Sequence, residues 1–260
     1  MRVSTRERAR VNIPVLLISA ITWMMLLVNP GGIMTLAHCP VTDSGASLAS
    51  FRMLLEMNPL SSLAAGWALM LVAMMSPTLI TPLRHVRTRS LKRRRPRSVT
   101  LFVVGYAASW MAAGGVLMAV MLMLSLLAPQ SYLPAVGAGI IAFVWQCSPI
   151  KQRCLNRGHN HSELAAFGSA ADLDALRFGI THGVWCVGSC WALMLLPMLL
   201  QQGHFAAMAV VTFMMTSERL ERPGPPSWRL RFPGKLMRIV VARTRIRLQS
   251  SLSGIKPSLQ

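Results

Sequence analysis

Residues 99–150 read VTLFVVGYAASWMAAGGVLMAVMLMLSLLAPQSYLPAVGAGIIAFVWQCSPI, a run without one Asp, Glu, Lys or Arg. A helix on the surface of a water-soluble domain carries charge on its outer face, so this run has no aqueous side. About 20 apolar residues cross the hydrocarbon core of a bilayer, which makes the run long enough for two spans. The break falls near Ala128-Pro129-Gln130-Ser131, where proline and polar side chains interrupt the apolar pattern.

Two further stretches, 57–83 and 178–217, also lack charged side chains. Together with the apolar run near the N-terminus they predict six spans, near 11–28, 60–82, 99–121, 131–150, 180–200 and 204–217. The fold class is therefore all-α: a polytopic helical membrane bundle of about six transmembrane helices over residues 1–217. A basic, Pro-rich C-terminal tail follows over 218–260. Gly and Pro inside the spans do not argue against helix, because neighbouring helices satisfy the backbone groups they free.

The formal net charge of +19 raises the question of nucleic acid, and the placement of the 27 Lys and Arg answers it. Four lie in residues 1–10, eight in 84–98, four in 151–177 and ten in 218–260. A six-span topology puts all of these on one side and leaves Arg52 alone on the other. The positive-inside rule then places both termini in the cytoplasm. Aromatic interleaving and a folded basic domain are both missing, so no nucleic acid is expected as a partner. The run Lys92-Arg93-Arg94-Arg95 suits anionic lipid headgroups instead. A basic start before an apolar run also opens a signal peptide, with Thr35-Leu36-Ala37 as its cleavage site. Val11 to Val28 is longer than the apolar region of such peptides, however, and reads as an uncleaved anchor.

The chemistry concentrates in residues 181–200, THGVWCVGSCWALMLLPMLL, where His182, Cys186 and Cys190 follow at four-residue steps and Met194 and Met198 continue the stripe. The five cysteines are Cys39, Cys147, Cys154, Cys186 and Cys190. Cys39 falls in the first outward loop beside His38. The other four fall toward the cytoplasm, with Cys154 in the loop just after the fourth span. A reducing compartment there disfavours structural disulfides and favours metal or redox chemistry.

Residues at i and i+4 on a helix hold their β-carbons about 5–6 Å apart, more than the roughly 3.5–4.5 Å of a disulfide. A Cys186–Cys190 bridge would require the helix to unwind at Gly188. Two such residues can share a metal ion, but His182 and Cys190 stand about 12 Å apart along the axis and cannot meet on one. The stripe thus offers pairs, to be completed from other helices. Met74 and Met75 before Pro77, and Met214 and Met215, lie at the same depth. Pro77 should kink its span and free a carbonyl, opening room beside those sulfurs. Thiolate and thioether favour Cu(I), with Zn(II) as the alternative where His and Cys dominate. His159 and His161 add two imidazoles on the cytoplasmic surface. Met194 and Met198 read as packing, since 19 Met make some coincidence with a helical step unavoidable. Gly105 with Trp110, and Gly137 with Gly139, read as small-residue helix contacts. The spans hold no Asp or Glu, which argues against a proton-coupled pump.

Four motifs occur in order: Trp67 with Ala73-Met74-Met75-Ser76-Pro77; Gly105-Tyr106 with Trp110; Trp145-Gln146-x-Ser148-Pro149-x-Lys151-x-x-Cys154-Leu155; and His182-Gly183-x-x-Cys186-x-Gly188-x-Cys190-Trp191-x-x-Met194. This order resembles the DUF2182 family of predicted metal-binding bacterial membrane proteins, over residues 60–220. The resemblance implies a multi-pass protein of the bacterial inner membrane, similar to proteins described as copper chaperones. Three departures stand out. Ser189 replaces the middle one of three cysteines, Gly158 replaces a second cysteine after Cys154, and Pro223-Gly224-Pro225-Pro226 stands where a further apolar helix is usual. The last points to a truncated or frame-shifted C-terminus, or to a tail lying along the membrane.

The expected function is binding of a soft metal, Cu(I) or else zinc, for copper handling or delivery to a metal-accepting membrane protein. The ligand set comprises His182, Cys186 and Cys190, with Cys147, Cys154, Met74 and Met75 as completing residues. Two other readings stay open: a membrane thiol oxidoreductase, and a non-catalytic assembly factor whose cysteines only pack.

Overall fold

The computed structural model describes residues 5–28, 52, 56, 59–128, 131–160, 163–165, 167–200, 203–230 and 234–253; His38, Cys39 and His161 lie outside them. Among the described residues the regular structure is all helical. The elements are α1 (Thr5–Val28), α2 (Leu60–Met75), a 3-10 turn (Ser76–Leu79), α3 (Ile80–Arg89), α4 (Arg95–Leu127), α5 (Leu133–Cys147), α6 (Pro149–Gly158), α7 (Gly168–Leu199), α8 (His204–Leu220) and α9 (Gly234–Ser253). Four helical stretches are long and apolar enough to cross a membrane: Ala9–Val28, Leu60–Arg89, Arg95–Leu124 and Gly168–Leu199. The bent pair α5–α6 is a fifth candidate when read as one broken span. The sixth expected segment, α8, has 17 residues.

The long uncharged run divides as its composition predicts, with α4 ending at Leu127 and α5 starting at Leu133. The centre of the molecule is the pair α4 and α7. Their backbones touch because glycine stands at the crossing: a β-carbon on Gly105 would lie 2.6 Å from the Leu176 carbonyl oxygen, and one on Gly183 would lie 2.7 Å from Ser109 Cβ. Gly179 is closed off in the same way by the Phe102 carbonyl. Ser109 Oγ donates across the interface to the Ile180 carbonyl at 3.2 Å. The expected contact at Gly105 is thus present. At Gly137 and Gly139 it is absent, since a β-carbon on Gly137 would meet open space and one on Gly139 would make only an ordinary 3.9 Å contact with Leu196. Those two glycines lie away from any close crossing.

Pro77 breaks its helix by the mechanism expected and with a different consequence. A proline removes the N–H that would bond the carbonyl four residues back, here that of Ala73. The 3-10 turn absorbs the break, and the Ala73 carbonyl accepts from Ser19 Oγ at 2.7 Å and Trp23 Nε1 at 3.2 Å. The freed acceptor therefore docks α1 and leaves no opening beside Met74 and Met75.

The α5–α6 break is an elbow of 66°. Ser148 leaves the helical region, its Oγ accepts from Lys151 N–H at 3.2 Å, and Pro149 starts the next helix. These are the N-cap and first-turn preferences of an α-helix. Cys154 is consequently on a helix packed against α7, not in a surface loop as the span lengths suggested. In the basic tail, Gly234–Ser253 forms a helix carrying several basic residues.

Candidate metal centre

α7 runs without interruption through Gly188, and Cys186 and Cys190 are free thiols. They are 1% and 3% exposed and lie one turn apart, close enough for the two thiols to interact. The Cys186 sulfur is 3.4 Å from Tyr106 Oη on α4. The Cys190 sulfur is 3.2 Å from Ser189 Oγ, which also donates to the Cys186 carbonyl at 2.8 Å. Ser189 thus supplies a hydroxyl beside the pair. The same core holds Met70, Met74, Met75, Met194, Met208 and Met215, all buried. Two thiols in a methionine-rich interior form a soft donor environment.

The remaining expected ligands are distributed around this pair rather than gathered on it. Cys154 reaches α7, but at Gly188: a β-carbon there would stand 2.8 Å from its sulfur. Each helical residue turns about 100°, so the Gly188 position faces about 200° around from Cys186, on the far side of the helix. Cys147 ends α5, is partly exposed, and its carbonyl accepts the Arg229 N–H at 3.2 Å. His182 is buried, with its ring about 6 Å from those of Phe102, Tyr106 and Phe178. Its other side borders a cavity of about 310 Å³ lined also by Arg157, Asn160, Thr181 and Trp185. Arg157 lies over the Trp185 ring, 4.4 Å from its centroid, at that rim. His159 turns both ring nitrogens to backbone, with Nδ1 2.8 Å from the Leu155 carbonyl and Nε2 3.2 Å from that of Arg219. It ties the end of α6 to the end of α8. Among the described residues no group of three or more His, Cys, Asp or Glu side chains converges as a metal site.

Several polar residues around the pair were not expected in this role. Lys151 is wholly buried and pairs with Glu218, Nζ to Oε2 at 2.8 Å; Glu218 is 7% exposed. Gln146 closes the group, accepting from Lys151 Nζ and donating to Glu218 Oε1. The pair joins α6 to the C-terminal end of α8, and its members are 67 residues apart in sequence, so no local pattern announces it. Beside it, Arg219 extends under Gly158, where a β-carbon would collide with Nη1, and brings its guanidinium against Cys186 and close to Cys190 and Tyr106. The one sequence signal was position: Glu218-Arg219 is the first charged pair after a long uncharged stretch.

A family model described as PpoB2, copper chaperone, matches residues 64–237. No curated protein and no solved structure matches the chain. The match takes in all four motifs from Trp67 to Met194 and continues past the Pro223–Pro226 stretch to Met237. It also spans the thiol pair, the buried Lys151–Glu218 pair and Arg219. With this much of its length matched, the chain belongs to the PpoB2 copper chaperone family.

Proposed function

We propose that this protein carries Cu(I) as cargo on Cys186 and Cys190 within the bacterial inner membrane, and passes it to a metal-accepting membrane protein. The observation that carries this reading is the pairing of two free, buried thiols one helical turn apart among methionines, in a copper chaperone family member. Thiolate and thioether select Cu(I) among the common metals. Structural zinc favours four nitrogen or sulfur ligands in a tetrahedron, and among the described residues no third His, Cys, Asp or Glu joins the pair. Met74, Met75 and Met194 are the thioethers available to it. Cys154 lies on the far side of α7 and His182 one turn before Cys186 on the same stripe; both serve as relay ligands on the way to the cytoplasmic side, with Cys147 farther out. The unbroken helix at Gly188 disfavours disulfide exchange between the two cysteines.

The proposed topology has six spans with both termini in the cytoplasm. The segment α8 completes the count, and Lys92–Arg95 and the basic tail rest on anionic headgroups. Docking of α1 on the Ala73 carbonyl supports its retention as part of the folded protein.

Metal content of the purified protein, after loading with Cu(I) under reducing conditions, tests the assignment. Wild type should retain about one copper per chain and Cys186→Ser/Cys190→Ser almost none. Equal, substoichiometric copper in both proteins would overturn it.

A further inference from the structure

Arg219 poses a problem of charge that the rest of the fold leaves unsolved. Its guanidinium keeps its proton in proteins. Its Nη2 is buried without a hydrogen-bond partner. The nearest carboxylate on its own helix, Glu218, is engaged by Lys151, and no carboxylate pairs with Arg219 among the described residues. The side chain as a whole is only partly buried, but a cation whose Nη2 has neither water nor a protein acceptor favours an anion beside it. The groups that stand there are the Cys186 and Cys190 sulfurs and Tyr106 Oη.

We propose that Arg219 is the specificity-determining counter-charge of the thiol pair, favouring a monovalent over a divalent ion. The proposal rests on the copper reading above. When Cu(I) binds, two S–H protons leave and two Cu–S bonds form, with no change in oxidation state. The bis-thiolate complex carries one negative charge, which Arg219 neutralises. With Zn(II) the same two thiolates give a neutral complex, so the partly buried guanidinium gains no counter-charge from it. The difference between the two ions is one full charge beside a fixed cation, where electrostatic interactions are strongest. Lys151 contributes no such bias because Glu218 already balances it.

The test is competition between Cu(I) and Zn(II) for the full-length purified protein in detergent, each metal buffered by a chelator of known affinity. Arg219→Gln should lose at least about tenfold of the wild-type preference for Cu(I), with Zn(II) binding kept or tightened, and Arg219→Lys should restore most of it. Gly158→Ala keeps the charge but displaces Nη1, and should lower the preference less than Arg219→Gln does. Retained Zn(II) binding in each variant reports an intact pair. An unchanged Cu(I)/Zn(II) ratio in Arg219→Gln, or an equal loss of both metals, overturns the proposal while leaving the copper reading standing. Failure of the wild type to bind Cu(I) overturns that reading itself.

Discussion

At the scale of single residues, glycine decides which side chains reach the thiols. Gly188 presents a bare backbone to Cys154, and Gly158 presents one to Arg219. The two have opposite expected consequences for copper. Gly188→Ala or Cys154→Ser disturbs the far side of α7, so both should retain wild-type copper stoichiometry, measured by elemental analysis against protein concentration. Gly114 is occupied differently: the Trp67 indole lies where its β-carbon would be, and donates to the Trp110 carbonyl at 3.1 Å. Gly114→Ala should therefore cost about 1–3 kcal/mol by overpacking, read as a lowered thermal unfolding midpoint in detergent. Residue identity alone revealed the thiol pair and its helical step. It could not reveal which neighbours join the pair, because Cys154 carries an equally suitable donor and lies on the opposite side, while His182 shares the stripe and packs its ring among Phe102, Tyr106 and Phe178.

At the scale of elements, the broken helix α5–α6 organises the end of the molecule that holds Lys151 and Glu218. The elbow at Ser148 turns α6 back toward α7 and brings Lys151 to Glu218. Removing one member of a buried ion pair leaves the other uncompensated, which costs about 3–5 kcal/mol, whereas replacing both with apolar residues is often nearly neutral. Lys151→Met alone should thus destabilise the protein strongly, and Lys151→Met/Glu218→Leu should recover most of the loss in the same unfolding assay. The break at Pro77 gives a milder case. Ser19→Ala should weaken the docking of α1 by about 1 kcal/mol, seen as increased protease sensitivity of residues 5–28. Helices α4 and α7 and the division of the long apolar run were legible because lack of charge and span length leave no other solution. The elbow and the course of α6 were not, since Ser148-Pro149 reads equally well as the end of a span or the start of another helix. Gly137 and Gly139 misled for a related reason, as small residues permit close packing without requiring it.

At the scale of the whole molecule, the sequence predicts six spans from charge distribution, and the fold offers four long apolar helices and a bent fifth candidate. Topology reporters fused at Leu91 and Gly203 should report opposite sides of the membrane, and the same side would remove the proposed cytoplasmic placement of the thiols. The site was partly legible: sulfur and imidazole could be counted along the chain. Arg219 and the Lys151–Glu218 pair could not, because they gain their importance only when α6, α7 and α8 come together. The glycine-lined contact between α4 and α7 carries a mechanical consequence. Two backbones pressed together over Gly105, Gly179 and Gly183 form a shaft that can neither slide nor roll without opening a gap. Cys186 and Cys190 are mounted on that shaft. If the proposed hand-over takes place, the thiols stay with this contact, and any movement that uncovers them belongs to the elbow of α5 and α6 and to the C-terminal end of α8, which carries Arg219.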